Sequence, residues 1–85
     1  MKKFSYTIQD ELGIHARPAG QLVKCASAFK STVTVDNGVK KGDAKKIMSL
    51  MMLAVKKGQQ VTVTVEGEDE EEAAAQLQTF MKEHL

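Results

Sequence analysis

Hydrophobic and polar residues alternate in three segments of the chain, at residues 4–8, 33–35 and 61–65. This period-2 pattern predicts strands with one buried face, most clearly in the last segment, where three valines alternate with two threonines. Asn37-Gly38 follows the second segment and favours a two-residue turn, because both residue types tolerate positive φ. We therefore predict a hairpin in which residues 32–36 pair with residues 39–41.

Apolar residues elsewhere recur at the spacing of amphipathic helices. From Ala16 they lie at positions 19, 22, 23 and 26, which predicts a helix ending near Ser27. Asp43 is the expected N-cap of a short helix over residues 46–53, and Asp69 with Glu72 makes a capping-box pattern before a last helix. The predicted apolar face of that last helix contains Ala73, Leu77, Phe80 and Met81.

The predicted order is β-α-β-β-α-β-α, without repeats or linkers, and indicates one domain over residues 1–85. One-sided strands and amphipathic helices predict an α+β fold, in which a mainly antiparallel sheet is covered on one face. The other face should be solvated and rich in threonine. The longest apolar stretch, residues 47–55, is about half of what a bilayer crossing needs, so no membrane insertion is expected.

The charges nearly balance, with 12 Lys and Arg against 11 Asp and Glu, which argues against a nucleic-acid partner. Their distribution is uneven, because residues 1–58 carry eleven basic and four acidic residues while residues 59–85 carry one and seven. The basic part predicts an acidic or phosphorylated partner. The single cysteine, Cys25, excludes an intrachain disulfide, and no apolar signal segment follows Lys2 and Lys3, which together fit a cytoplasmic protein.

Candidate chemistry lies at residues 13–18, Gly-Ile-His-Ala-Arg-Pro. Pro18 is acceptable only in the first helical turn, so the helix should start near Ala16 with His15 at or beside the N-cap. The free N–H groups of Ala16 and Arg17, together with the Arg17 guanidinium, then form an anion site. A neutral imidazole there can accept a phosphoryl group, which predicts a phosphohistidine site. The alternative is an ordinary exposed capping histidine.

The segment Gly-Ile-His-Ala-Arg-Pro-Ala at 13–19 resembles the phosphorylation site of the HPr family, the histidine phosphocarriers of the bacterial sugar phosphotransferase system. The resemblance extends along the chain, including Lys-Lys-Ile-Met-Ser-Leu-Met at 45–51 and Glu-Gly-Glu-Asp-Glu at 66–70. It implies an open-faced β-sandwich of four antiparallel strands and three helices. It also implies a phosphoryl carrier rather than a free-standing enzyme.

In the family, enzyme I phosphorylates the active histidine at Nδ1, and HPr passes the phosphoryl group to IIA domains of sugar permeases. By resemblance, His15 is the phosphoacceptor, Arg17 is its electrostatic helper, and Ala16, Arg17 and Pro18 surround the phosphate. The residues of the implied partner surface are Gly20, Lys24, Ile47, Met48 and Met51. We expect a monomer, because a carrier must visit several partners in turn.

Residues 47–55 are apolar around almost the whole helix, more than one sheet face can bury, so part of them should be exposed. Methionines suit a surface that accepts several partners by repacking, and we assign Met48 and Met51 to such an interface. For Met52 and Leu53, burial and exposure are equally compatible with the sequence.

The chain departs from the family at two positions. Lys46 stands where many members carry a regulatory serine, so serine phosphorylation is not expected, and Ser49 is no obvious substitute. Gly20 replaces a residue that usually has a side chain, and either the first helix or the contact with enzyme I should be loosened.

Other residue types with reactive side chains are assigned structural roles. Cys25 should be a packing residue, and His84 should lie at a fraying terminus. No spacing of Cys, His and carboxylates suggests a metal site, and no cofactor is expected.

Two other functions remain open from the sequence. One is an HPr paralogue in a nitrogen-type or kinase-linked phosphorelay, and the other is a non-catalytic regulatory module that binds its partner through Met48 and Met51. The presence of His15 and the absence of the serine argue against the regulatory module.

Overall fold

Four strands form one antiparallel sheet in the computed structural model, which describes residues 1–85. The strands are β1 (Lys2–Thr7), β2 (Thr32–Asp36), β3 (Lys41–Asp43) and β4 (Gln60–Glu66). Their order across the sheet is β1-β4-β2-β3. Val63 of β4 lies opposite Phe4 of β1 on one side and opposite Val35 of β2 on the other, so the apolar face is centred on β4.

Three helices pack on that apolar face: α1 (Ala16–Ser27), α2 (Ile47–Met52) and α3 (Glu70–His84). Leu22, Leu50 and Leu77, one from each helix, are at most 2% exposed and meet the buried valines of β2 and β4. Burial stabilises the fold by roughly 1.5–3 kcal/mol for each such side chain. The predicted element order and the predicted α+β sandwich, open on one face, are confirmed.

The uncovered face of the sheet is polar. Thr34, Thr62 and Thr64 alternate with the buried valines and are partly exposed. The hydroxyl oxygens of Ser5 and Thr62 lie 3.2 Å apart across β1 and β4. This face therefore matches the expectation of a solvated surface rich in threonine.

The connection between β2 and β3 is longer than predicted. Asp36 pairs with Lys41, so the loop has four residues rather than two, and β3 begins two residues later than expected. Oδ1 of Asn37 accepts the N–H groups of the second and third residues after it, at 2.9 and 2.7 Å. The side-chain amide of Asn37 donates to the carbonyl of Leu53 at 2.9 Å. A four-residue loop, held by these bonds within the loop and to Leu53, therefore replaces the tight two-residue turn that Asn-Gly favours.

The prediction of Asp43 as the N-cap of α2 is wrong. Asp43 is the last residue of β3, and its carboxylate accepts the N–H of Lys45 at 2.9 Å in the turn that follows. The N-cap residue is Lys46, which has an extended backbone and makes no side-chain capping bond. Asp43 cannot cap α2 because the strand pairing of β3 continues through it.

The predicted capping box of α3 does not form, although Asp69 is the N-cap residue. The Asp69 carboxylate instead accepts the N–H groups of Lys30, at 2.9 Å, and Ser31, at 3.0 Å, and the hydroxyl of Ser31. These bonds hold the pKa of the Asp69 carboxyl below its usual value, and the largest effect comes from the Ser31 hydroxyl and the next from the Lys30 N–H. A tertiary contact between α3 and the start of β2 therefore takes the place of the local cap.

No helix of the chain is both long enough and apolar enough to cross a lipid bilayer.

Candidate functional site

His15 is the N-cap residue of α1. Its backbone is extended, with φ −103° and ψ −178°, and its carbonyl accepts the N–H of Ala19 at 3.0 Å. The imidazole makes no capping bond, and 33% of the side chain is exposed. The backbone therefore fixes His15 at the start of the helix while its ring stays accessible to another molecule.

The first turn of α1 leaves two backbone N–H groups, those of Ala16 and Arg17, without an acceptor in the protein. Pro18 has no N–H, so it forms part of the wall beside His15 but cannot donate to a phosphate. Arg17 is exposed, and its guanidinium has no carboxylate within 4.0 Å. Two amides, a free guanidinium and the positive end of the helix dipole thus lie next to one imidazole.

The loop before His15 is packed closely against the segment that joins α2 to β4. Gly13 has a φ of +68°, and a Cβ at this position would lie 2.1 Å from the carbonyl oxygen of Val55. The N–H of Ile14 donates to that same oxygen at 3.0 Å, and the Ile14 side chain is buried. Only glycine satisfies both the left-handed backbone and the close approach, so Gly13 sets the position from which His15 emerges.

The structure brings to His15 four residues that were not predicted there from the sequence: Asp10, Gln21, Glu83 and His84. A shallow depression of about 360 Å³ is lined by Asp10, His15, Arg17, Pro18, Gln21, Glu83 and His84. Oδ2 of Asp10 lies 3.7 Å from Nε2 of His15. The ring of His84 packs against that of Phe80, with 4.6 Å between the ring centroids.

The end of α3 reaches this depression because the chain terminus is held against the β1–α1 loop. The carbonyl of Leu85 accepts the N–H groups of Gln9, at 2.5 Å, and Asp10, at 2.9 Å. The Leu85 side chain is only 3% exposed. The expectation of a fraying terminus at His84 is therefore wrong, and the apolar last residue is the sequence signal that could have indicated burial.

An exposed apolar surface lies on α2, and we call Ile47, Met48, Met51 and Met52 the methionine patch. Their exposed fractions are 41%, 67%, 37% and 67%, whereas Leu50 and Leu53 on the opposite side are buried. A Cβ at Gly20 would lie 3.7 Å from Cδ1 of Ile47, so the patch adjoins α1. Of the two residues left open by the sequence, Met52 is exposed and Leu53 is buried.

Comparisons with known proteins identify the family. The family model described as the PTS HPr component phosphorylation site matches residues 2–83. This chain belongs to the HPr family. It is thereby a phosphocarrier of the phosphotransferase system, which acts with other components of that system.

Individual HPr proteins are similar over nearly the whole chain. The phosphocarrier protein HPr of Lysinibacillus sphaericus is 47% identical over 83 residues, which cover 98% of this chain and 94% of the relative. The histidine-containing phosphocarrier protein of a Mycoplasma has a TM-score of 0.93 at 39% identity, with 96% and 93% of the two chains covered. HPr-C-His from Thermoanaerobacter tengcongensis has a TM-score of 0.91 at 41% identity, with 96% and 92% covered.

Both departures from the usual HPr sequence lie on accessible positions of the first two helices, and the structure gives no reason for either residue type. Lys46, at the position of the regulatory serine, is exposed at the start of α2, and Ser49 lies partly buried within the helix. At Gly20 a Cβ would make only an ordinary van der Waals contact, so the packing does not require glycine there. Lys24, in the last turn of α1, is exposed.

Cys25 is partly buried against the core, and burial raises the pKa of its thiol. A raised pKa lowers the thiolate fraction, which suits a packing residue better than a nucleophile. The structure contains no cluster of three or more His, Cys, Asp or Glu residues arranged to hold a metal ion.

Proposed function

We propose that His15 accepts a phosphoryl group at Nδ1 from phospho-enzyme I and donates it to IIA domains of sugar permeases. The observation that supports this most strongly is the exposed imidazole at the N-cap of α1, beside two unbonded amides and a free guanidinium. The HPr family of the chain supplies the reaction type.

Each element of this site has a defined part in the transfer. The lone pair of Nδ1 forms a bond to phosphorus while the bond between phosphorus and the donor breaks, and the donor keeps that electron pair. The N–H groups of Ala16 and Arg17 then donate to the phosphate oxygens, and the Arg17 guanidinium adds a charge-assisted pair. Because these donors are few and open to water, the phosphate is held weakly enough to be passed on.

Partner binding is proposed at the methionine patch together with Gly20 and Lys24. The patch lies beside α1, so a protein that covers it also reaches the start of that helix and His15. Lys24 and Lys46 add positive charge around the apolar centre, which suits an acidic rim on the partner. Lys46 offers no hydroxyl for a serine-directed kinase.

We further propose that the carrier is one cytoplasmic domain and that it works as a monomer. The support is the single core shared by all three helices and the sheet, and the exposure of the methionine patch. An HPr from Thermoanaerobacter tengcongensis forms a dimer. A dimer of this chain that buried the patch would compete with partner binding.

The decisive experiment is phosphorylation by enzyme I and phosphoenolpyruvate, followed by intact-mass measurement. We expect the wild-type protein to gain one phosphate that is labile in acid and stable in base, and His15→Ala to gain none. His84→Ala is the matched control, because it removes the other histidine of the same depression and should keep the phosphate. Retention of the phosphate in His15→Ala would contradict the proposal.

A further inference from the structure

Asp10 is held in the loop between β1 and α1 by contacts that leave one carboxylate oxygen free. Its Oδ1 accepts the N–H of Leu12 at 2.8 Å, and its carbonyl accepts the N–H of Gly13 at 2.9 Å. Its own N–H donates to the carbonyl of Leu85 at 2.9 Å. The local turn and the end of α3 therefore fix the backbone and one oxygen of Asp10 together.

The free oxygen, Oδ2, lies 3.7 Å from Nε2 of His15. Both side chains are about two-thirds covered, with exposed fractions of 29% for Asp10 and 33% for His15. Glu83 and His84 line the same depression, but Asp10 is the one acidic residue within 4.0 Å of a His15 ring nitrogen. Contacts of this kind are often long in a free protein and shorten when the partner is bound.

We propose that Asp10 is a positioning residue for phosphoryl transfer, which orients the His15 ring through Nε2 so that Nδ1 is the reacting nitrogen. This inference rests on the proposed function of His15 as the phosphoacceptor. A carboxylate beside Nε2 favours the neutral tautomer with its hydrogen on that atom, and the lone pair then resides on Nδ1.

The same contact assists the return step. When Nδ1 carries the phosphoryl group, a proton on Nε2 gives the ring a positive charge, which the Asp10 carboxylate stabilises. The bond between Nδ1 and phosphorus then breaks, its electron pair returns to Nδ1, and the phosphoryl group bonds to the acceptor nucleophile. The Nε2 hydrogen stays in place throughout, so no additional proton donor is required.

Asp10→Asn tests this proposal with little change to the loop, because the amide oxygen of asparagine can still accept the N–H of Leu12. Asp36→Asn is the matched control. Asp36 also accepts a backbone N–H two residues ahead, from Gly38 at 2.7 Å, but lies on the polar face of the sheet, away from the depression. Urea unfolding curves establish that both variants fold.

The first measurement is the ratio of the two neutral tautomers of His15, from ring ¹⁵N chemical shifts at a pH where the ring is uncharged. We expect the ratio of the Nε2–H to the Nδ1–H form to fall about threefold or more in Asp10→Asn and to stay unchanged in Asp36→Asn. A ratio in Asp10→Asn equal to that of the wild-type protein overturns the proposal.

The second measurement is the rate of phosphorylation by enzyme I. In Asp10→Asn we expect kcat to fall about three- to tenfold with little change in KM, because the methionine patch and Arg17 are unaltered. A kcat equal to that of the wild-type protein also overturns the proposal. If even the wild-type protein accepts no phosphate, the proposed function fails, whereas the tautomer ratio still decides whether Asp10 orients the ring.

Discussion

Gly13 and Ala54 both adopt left-handed backbone angles, with φ of +68° and +51°. At Gly13 the glycine is indispensable, since any Cβ would collide with the carbonyl of Val55. Ala54 follows the C-cap residue Leu53 of α2, a position where helices commonly carry glycine. The backbone at Ala54, next to the methionine patch, is therefore strained, and a glycine would remove that strain.

Ala54→Gly should raise the free energy of unfolding by about 0.5–1 kcal/mol, because glycine adopts the left-handed conformation without the steric cost of a Cβ. Urea unfolding followed by circular dichroism measures the change. Ala28→Gly is the control, since Ala28 also ends a helix but has a right-handed φ of −71°. Glycine there should be neutral or destabilising, and equal destabilisation by both substitutions would contradict the explanation.

At the level of helices and strands, the hydrophobic periodicity was sufficient to predict an element where residues close in the sequence determine its structure. The alternating valines of β4 and the helical spacing of α1 were predicted with nearly the observed bounds. The errors occur where distant residues compete with a local signal. Asn37 bonds to Leu53, Asp43 continues a strand, and the Asp69 carboxylate bonds to residues 38 and 39 positions away.

The same distinction applies to the site. His15, Arg17 and the start of α1 follow from one short segment, because Pro18 and the helix N-terminus are local features. The positions of Asp10 and His84 depend on where the end of α3 packs. Periodicity in the sequence of α3 shows which face is buried but not which loop its last turn meets.

The link from Asp69 to β2 should make stability depend on pH in acid. The pKa of the Asp69 carboxyl in the folded protein is below its usual value of about 3.9. The contribution of the ionised carboxylate to the free energy of unfolding is therefore present above about pH 3.9 and is lost as the pH falls through the folded pKa. Asp69→Asn should therefore destabilise the protein at pH 6, and the difference from the wild-type protein should shrink towards pH 2.5. Unfolding curves across this range measure it.

Glu68→Gln is the control for that experiment, since it makes the same change of charge one residue away. Glu68 is 80% exposed and has only a 3.7 Å ion pair with the exposed Lys30. Its removal should change stability little at any of these pH values. A difference between Asp69→Asn and the wild-type protein that did not depend on pH would show that the carboxylate charge is not responsible.

Across the whole molecule, part of the acidic charge of residues 59–85 pairs with basic groups at the start of the chain. The acidic start of α3 lies beside β1, where Glu70 contacts the Met1 ammonium at 2.5 Å and Glu71 contacts Lys2 at 3.5 Å. Arg17, Lys24 and Lys46 have no such partners. Positive charge without an ion-pair partner is thus present on α1 and at the start of α2, around His15 and the methionine patch, although the net charge is only +1.

This arrangement predicts how the methionine patch contributes to transfer. Met48 is 67% exposed, so Met48→Glu should leave stability nearly unchanged. The substitution places a negative charge in the apolar centre of the proposed interface and offsets the positive charge around it. We expect the second-order rate of phosphorylation by enzyme I to fall about tenfold or more, mainly through a higher KM.

Val39→Glu provides the control, because Val39 is 88% exposed in the loop between β2 and β3 and lies outside the patch. Both variants change the net charge equally, so long-range repulsion affects both, and that shared part should diminish between 20 and 300 mM salt. The loss specific to Met48→Glu should persist at high salt, because it reflects a buried charge at the contact. Equal rates for the two variants at high salt would contradict the assignment of the patch, since net charge alone would then account for the effect.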